Sequence, residues 1–223
     1  IMLDDKLIGL LGGAFDPIHN AHISIAEECI KKIGLKKIIF IPTGSSANKK
    51  LTNYNHRLEM VSLVCNNPNF QVSDFEIKKY LNKKEISYTI DTLKFFSKDS
   101  KFTLCFILGS DAFSSINSWY KWKDLLNYTH LIIIERSNNQ LNSDDMPNEV
   151  QDFLISNTTK DINALKKNKN GYIYTLPTVF YENSSTEIKN KLKKNASTRK
   201  MLPEIIREYI LRHKLYSVTG HIK

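Results

Sequence analysis

The chain has 223 residues, of which 41% are hydrophobic and 25% charged, so its composition excludes general disorder and predicts a buried core. No apolar run approaches the roughly 20 residues that span a bilayer. The first residues also lack the pattern of a secretion signal, so we expect a cytoplasmic protein without a membrane segment. The formal net charge of +9 favours anionic partners, either small phosphates or nucleic acids. The cysteines lack metal-ligand spacing and are predicted to be buried thiols in a reducing compartment: Cys29, Cys65 and Cys105.

Strand-like apolar runs alternate with helix-like patterns along the chain, which is typical of a parallel α/β sheet. Strands are predicted at residues 7–11, 37–41, 102–108, 130–134 and 172–176. Helices are predicted before Gly34, at residues 57–65, 88–96 and 150–155, and from about residues 184 and 202 onwards. The helix at 150–155 is the one helix expected in a polar surface excursion over residues 138–170.

These elements predict a Rossmann-like α/β fold, with an open parallel sheet and helices on both of its faces. We find no internal repeat and no linker between independent domains. The expected organisation is therefore one domain over residues 1–223, with a small C-terminal helical part at about 184–216 packed on it.

The strongest motif follows the first predicted strand and runs Gly12-Gly13-Ala14-Phe15-Asp16-Pro17-Ile18-His19-Asn20-Ala21-His22. Paired glycines let the backbone approach a ligand closely, and the N-terminus of the following helix attracts anions. Two histidines three residues apart are expected to share a face of the first helical turn. Ligands of open α/β sheets bind at the carboxyl ends of strands, so this stretch predicts a phosphate-binding turn.

This turn resembles that of the nucleotidyltransferase superfamily, which is marked by a His-x-x-His sequence. Within it, the chain is similar to the bacterial-type nicotinate mononucleotide adenylyltransferases, which open with Gly-Gly-x-Phe-Asp-Pro-x-His-x-x-His. The resemblance implies transfer of AMP from ATP to nicotinate mononucleotide, with release of pyrophosphate. It also implies that the reacting phosphates meet at Gly12, Gly13, Phe15, His19 and His22.

Residues 87–93, 108–111, 118–120, 183–189 and 202–216 resemble further segments of the same family. The residues that the resemblance assigns to ATP are Gly109, Asp111, Ser184, Ser185 and Thr186, with Lys189 as a cation at the triphosphate. Those that it assigns to the mononucleotide are Ala14, Lys49, Thr89, Trp119, Tyr120 and Arg136. Ala14 stands where the family commonly has a hydroxyl residue, so one contact to phosphate is missing.

Several of these residues also have an ordinary structural interpretation. Asp111 fits a helix N-cap, Trp119 fits core packing, and Ser184 with Glu187 has the spacing of a capping box. Two departures from the family pattern concern substrate binding. Lys189 replaces an arginine, so its phosphate contact is expected to be less directional. Asn48 replaces a histidine beside Lys49, which puts loop geometry and affinity in question but not the reaction class.

The reaction requires no general base, because the second pKa of a phosphate monoester is near 6 and the nucleophile is largely dianionic at neutral pH. The expected catalytic groups supply positive charge to the transferred phosphoryl group: His19, His22, Lys49 and Lys189. Mg²⁺ is expected to be held by the substrate rather than by a protein site. Backbone amides near Thr89 and Tyr120 would favour nicotinate over nicotinamide, because a carboxylate only accepts hydrogen bonds.

Two alternatives remain open at this point. One is another member of the superfamily, such as a phosphopantetheine adenylyltransferase or a cytidylyltransferase, although Trp119, Tyr120 and the long C-terminal section favour the pyridine mononucleotide. The other is a basic nucleic-acid-binding module, which explains the charge but not the histidine pair. We expect ATP and nicotinate mononucleotide as partners and no nucleic acid, and the sequence leaves a homo-oligomer open.

Overall fold

The computed structural model describes residues 7–45, 50–83, 86–99, 101–136, 141, 146–178 and 183–217. Six strands form one sheet: β1 (Leu7–Gly13), β2 (Lys37–Pro42), β3 (Phe70–Val72), β4 (Thr103–Gly109), β5 (His130–Arg136) and β6 (Ile173–Thr178). Every neighbouring pair is parallel, and the order is β3-β2-β1-β4-β5-β6. In this order the winding direction reverses between β1 and β4, which is where sheets of this kind bind ligands.

The described helices are α1 (Asn20–Ile33), α2 (Tyr54–Val64), α3 (Phe75–Lys83), α4 (Thr89–Phe96), α5 (Ser110–Ser114), α6 (Asn148–Asn157), α7 (Ile162–Lys167), α8 (Ser185–Lys193) and α9 (Glu204–Arg212). Short 3-10 turns lie at Ile116–Ser118, Trp122–Asn127 and Leu215–Ser217. Within the described ranges, no helix has both the length and the apolar composition needed to cross a bilayer.

Alternate side chains of the strands feed two hydrophobic cores, one on each face of the sheet. Leu7 of β1 packs in the core that holds α1, α8 and α9, whereas Ile8 packs in the core that holds α4. Each fully buried aliphatic side chain stabilises the fold by about 1.5–3 kcal/mol. The Asn20 N–H at the start of α1 donates to the Met201 carbonyl at 2.9 Å, so the segment between α8 and α9 lies beside the start of α1.

The predicted α/β fold with helices on both faces is confirmed, and each of the five predicted strands is present. The sequence analysis missed β3 and α3. The expectation of one helix in residues 138–170 is wrong, because α6 and α7 both lie there. The six-residue α7 is too short to show a clear period, and it depends on local capping by Asp161 and on the buried Leu165.

The cysteines are free thiols, as expected, but they are not equally buried. Cys29 and Cys105 are buried, and Cys65 is only half-buried. Burial raises the pKa of Cys29 to about 12 and that of Cys65 to about 11. Both therefore remain protonated and unreactive at neutral pH.

Candidate active site

The turn after β1 reverses the chain through an unusual backbone conformation. Phe15 has φ of 46°, in the left-handed region that bulky residues rarely adopt, and its side chain is only 1% exposed. Its ring lies against Gly13, where an added Cβ would come within 3.2 Å of the ring. Gly13 is therefore needed for the close approach of Phe15, and the buried ring holds the turn in shape.

The two histidines of the motif form a stacked pair at the start of α1. Their ring centroids lie 3.7 Å apart at an interplanar angle of 22°. The backbone N–H of His19 donates to Nδ1 of His22 across 3.3 Å, which in a neutral ring places the His22 proton on Nε2. His19 is the N-cap, with extended φ and ψ of −147° and 171°, and His22 lies in the first helical turn. The two rings stack across the cap and so share a face, as expected.

Asp16, which precedes the histidines, is a buried carboxylate that accepts hydrogen bonds from Tyr216, Thr52 and Lys189. Asp16 is only 2% exposed. Its Oδ1 accepts a hydrogen bond from the Tyr216 hydroxyl at 2.7 Å. Its Oδ2 accepts from the Thr52 N–H at 3.2 Å and from Lys189 Nζ at 3.3 Å. Burial alone would raise the pKa of Asp16, but the hydrogen bonds from Tyr216 and Thr52 and the charge of Lys189 lower it overall. Asp16 is therefore ionised at neutral pH and holds the Lys189 ammonium at the turn, where the resemblance implies a cation.

Arg57, the fourth residue of α2, ties the turn to the neighbouring loop. Its side chain is 1% exposed and donates from Nη1 to the Ala14 carbonyl at 2.8 Å and from Nε to the Thr52 carbonyl at 2.9 Å. Burial lowers the pKa of Arg57, although the charge of Asp16 opposes this. The sequence analysis missed this residue. One feature of the sequence could have indicated it. Arg57 lies three and four residues before the apolar Met60 and Val61, and therefore on the same buried face of α2.

A cavity of about 420 Å³ opens beside the turn. It is lined by Gly12, Gly13, Ala14, Ile41, Thr43, Ser45, Glu76, Ser87, Thr89, Thr92, Phe106 and Trp119. The Trp119 ring meets Phe106 edge to face with centroids 6.3 Å apart, so Trp119 both packs against the core and forms part of the wall. The cavity brings together predicted site residues from three separate segments of the sequence: Gly12, Gly13, Ala14, Thr89 and Trp119.

Glu76 of α3 is a cavity residue that the sequence analysis missed together with its helix. Its Oε1 accepts a hydrogen bond from Thr92 Oγ1 at 2.7 Å. Burial raises the pKa of Glu76, and the hydrogen bonds from Thr92 and Thr43 and the charge of Lys79 offset only part of this effect. The wall of the cavity thus contains a carboxyl group whose pKa lies above its ordinary value because of burial.

The other predicted residues are placed less closely around the cavity. Gly109 ends β4 and is the N-cap of α5, so the N-cap interpretation of Asp111 is wrong; Asp111 lies exposed in the first turn. Tyr120 is 52% exposed and packs against Tyr88 rather than lining the cavity. Lys49 lies outside the described residues, and so does the side chain of Arg136, whose backbone ends β5.

The N-terminus of α8 abuts the turn. Ser184 is the N-cap and its Oγ accepts from the Glu187 N–H at 3.1 Å, so the capping interpretation of Ser184 is confirmed. Ser185 Oγ donates to the Pro17 carbonyl at 3.3 Å. Thr186 is exposed next to them. Ser185 thus uses its hydroxyl proton within the protein, whereas the Ser184 hydroxyl only accepts and the Thr186 hydroxyl is exposed. This helix end can therefore offer those two hydroxyls and its backbone amides to a phosphate.

Comparison with known proteins places this site in a family. The cytidylyltransferase-like family matches residues 10–191. A Buchnera aphidicola protein (subsp. Acyrthosiphon pisum, strain 5A), named probable nicotinate-nucleotide adenylyltransferase, is 37% identical over 216 residues, which cover 95% of this chain and 97% of that protein. A Shewanella frigidimarina (strain NCIMB 400) protein of the same name is 34% identical over 216 residues, which cover 94% of this chain and 99% of that protein.

A solved structure has the same fold. It is Plasmodium falciparum nicotinic acid mononucleotide adenylyltransferase complexed with NaAD, with a TM-score of 0.73 and 24% identity over 96% of this chain and 98% of that chain. The chain therefore belongs to the cytidylyltransferase-like family and, within it, to the nicotinate-nucleotide adenylyltransferases.

Proposed function

We propose that this chain transfers AMP from ATP to nicotinate mononucleotide, forming nicotinate adenine dinucleotide and pyrophosphate. The observation that carries the proposal is the stacked pair of His19 and His22 at the start of α1, next to a cavity at the reversal point of the sheet. The names of the relatives support the choice of substrates. Free thiols are consistent with a reducing cytoplasm, where we place the reaction.

The cavity takes the nicotinate mononucleotide in this proposal. Trp119 lies in its wall and offers a flat face to the pyridine ring. Thr89 is the first residue of α4, where backbone N–H groups have no acceptor within the helix. Amide donors at Thr89 and Tyr120 would favour the carboxylate of nicotinate over the amide of nicotinamide, which also needs an acceptor. Lys49 and Arg136 complete the proposed set at the mononucleotide phosphate.

The turn and the two helix N-termini take the triphosphate of ATP. His22, with its proton on Nε2, can donate to an oxygen of the α-phosphoryl group. The ammonium of Lys189 adds positive charge, and the N-termini of α1 and α8 add aligned backbone dipoles. Asp111, which is exposed in the first turn of α5, is proposed to accept hydrogen bonds from the ribose of ATP.

The chemical step is an in-line displacement at the α-phosphorus. A phosphate oxygen of nicotinate mononucleotide forms the new P–O bond, and the bond to the bridging oxygen of pyrophosphate breaks. Since the nucleophile is already largely dianionic, the protein has no proton to remove. His19, His22 and Lys189 instead stabilise the negative charge that spreads over the transferred group.

Magnesium bound to the triphosphate is part of the proposal. In the described part of the chain, no group of three or more His, Cys, Asp or Glu side chains is arranged to hold a metal. The buried carboxylate of Asp16 accepts its hydrogen bonds from protein donors. The proposed ion would be held by phosphate oxygens and water, and it would neutralise charge on the departing phosphates.

A substrate panel tests this function directly. The purified chain is incubated with ATP, Mg²⁺ and either nicotinate mononucleotide, nicotinamide mononucleotide or phosphopantetheine, and pyrophosphate and dinucleotide are measured. We expect fastest turnover with nicotinate mononucleotide, slower turnover with nicotinamide mononucleotide and none with phosphopantetheine. Turnover with phosphopantetheine alone, or with none of the three, would refute the proposal.

A further inference from the structure

We propose that Tyr216 is a positioning residue of the phosphate-binding turn. Through Asp16 it holds the Lys189 ammonium where the triphosphate binds. This inference rests on the proposed function, because it assigns Tyr216 a role through the contact of Lys189 with ATP. Tyr216 belongs to the last described turn, Leu215–Ser217, and lies 200 residues from Asp16 in the sequence.

The contact between Tyr216 and Asp16 is short and buried. The Tyr216 hydroxyl donates to Oδ1 of Asp16 at 2.7 Å, and the carboxylate is almost completely inaccessible to water. Burial raises the pKa of Tyr216, and the negative charge of Asp16 raises it further. The phenol therefore remains protonated and acts as a donor throughout the pH range in which the protein is expected to work.

Hydrogen bonds to both oxygens of Asp16 fix its orientation, and the Thr52 side chain adds a further one. Tyr216 binds Oδ1, whereas the Thr52 N–H and Lys189 bind Oδ2. Loss of the Tyr216 hydroxyl would leave Oδ1 as a buried anionic oxygen without this donor, which is costly. The carboxylate would then turn to share its remaining donors, and Lys189 would lose its fixed position.

Other contacts hold the C-terminal section to the same turn. The Asn20 N–H donates to the Met201 carbonyl at 2.9 Å, and Asn20 Nδ2 donates to the Lys200 carbonyl at 3.1 Å. Ser185 also reaches the turn through its hydrogen bond to Pro17. These bonds do not involve Tyr216. Removal of its hydroxyl is therefore expected to change the position of Lys189 without releasing the C-terminal section.

The test compares Tyr216→Phe, Lys189→Ala and the double variant, with Tyr209→Phe as a matched control. The Tyr209 hydroxyl also joins the C-terminal section to the rest of the protein, by a 2.9 Å hydrogen bond to His56 Nδ1. It does not contact Asp16 in the described structure. Steady-state kinetics with ATP and nicotinate mononucleotide give kcat and KM for each variant, and circular dichroism checks the fold.

We expect Tyr216→Phe to lower kcat/KM for ATP about tenfold, as loss of one hydrogen bond to a charged group would. The KM for nicotinate mononucleotide should change less than about twofold, whereas a general loosening of the structure would raise this KM as well. In the Lys189→Ala background, Tyr216→Phe should have almost no further effect, because the two residues act as one unit. Tyr209→Phe should leave the rates near wild type in both backgrounds.

An equal loss from Tyr216→Phe with and without Lys189 would overturn the inference, and so would a wild-type rate in Tyr216→Phe. If Tyr216→Phe does not fold, Asp16→Asn serves as a second variant of the same shape and must show the same dependence on Lys189. A wild-type rate in Lys189→Ala would overturn both this inference and the assignment of Lys189. Failure of the wild-type chain to form the dinucleotide would instead overturn the proposed function itself.

Discussion

Arg57 donates a 2.8 Å hydrogen bond from its guanidinium to the carbonyl oxygen of Ala14, in the middle of the phosphate-binding turn. The same side chain binds the Thr52 carbonyl, and the N–H of Thr52 binds Asp16. One buried cation therefore joins the two backbone segments that surround the Asp16 carboxylate. The shape of the turn depends on α2 as well as on its own glycines.

Replacement of Arg57 by alanine is expected to destabilise the protein by about 3 kcal/mol, because it leaves buried carbonyl oxygens without donors and removes one of the two positive charges near Asp16, the other being Lys189. Urea unfolding measures this loss, and the adenylyl transfer rate should fall with it. Lys78→Ala is the control, since its ion pair with Asp74 is exposed and worth at most about 1 kcal/mol. Equal stability of the two variants would show that Arg57 does not hold the turn.

His22→Ala is expected to lower kcat by about 10²–10³-fold while the fold survives, because it removes the donor that we propose for the transferred phosphoryl group. The rate of dinucleotide formation and the far-UV circular dichroism spectrum check both parts. His213→Ala is the matched control: His213 packs against His56 and Tyr209, in a separate aromatic cluster. A folded His22→Ala variant as active as His213→Ala contradicts the catalytic role.

Trp119→Ala is expected to raise the KM for nicotinate mononucleotide about tenfold, with a much smaller change in the KM for ATP, because ring stacking contributes roughly 1–3 kcal/mol. Initial rates over a matrix of both substrate concentrations separate these constants. Trp122→Ala provides the contrast, since Trp122 is a buried core residue whose loss should lower stability instead. An unchanged KM for the mononucleotide in Trp119→Ala would exclude stacking.

Glu76→Gln is expected to stabilise the protein at pH 7–8 but not near pH 4. Burial raises the pKa of Glu76 in the folded state, so the stability that this group contributes is present below its ordinary pKa of 4.5 and is lost as the pH rises through the folded value. Glutamine keeps the acceptor for Thr92 but avoids the buried charge. A gain of about 1 kcal/mol would raise Tm by roughly 2–4 °C in a chain of this size.

Thermal unfolding of the wild type and Glu76→Gln from pH 4 to 8 measures this dependence. Thr92→Val is a useful companion variant, because it removes the 2.7 Å hydrogen bond to Glu76 but keeps the charge. It should be less stable than the wild type at neutral pH. If the advantage of glutamine were constant over the whole range, the raised pKa of Glu76 would be contradicted.

The sequence predicts the turn between β1 and α1 well because its parts are adjacent. Gly13, Phe15 and His22 lie within ten residues, and the flanking strand and helix have clear periods. The capping role of Ser184 is equally local. In the structure Gly109 is the N-cap of α5, so Asp111 is not, and the sequence alone does not show this.

The residues that surround the turn are less predictable because they reach it from distant segments. Arg57, Glu76 and Tyr216 come from three separate elements, and only the packed fold brings them to the site. The short strand β3 has three residues, too few to show an alternating pattern. Tertiary packing decides all of these features.

A crystal structure of the chain bound to nicotinate adenine dinucleotide tests the central claim most directly. We predict that a ring nitrogen of His22 lies about 2.7–3.2 Å from an oxygen of the pyrophosphate bridge, with the His19 ring stacked behind it. The pyridine ring should occupy the cavity beside Trp119. A dinucleotide whose phosphates lie away from this turn, or histidine rings directed into the core, would contradict the mechanism proposed for this protein.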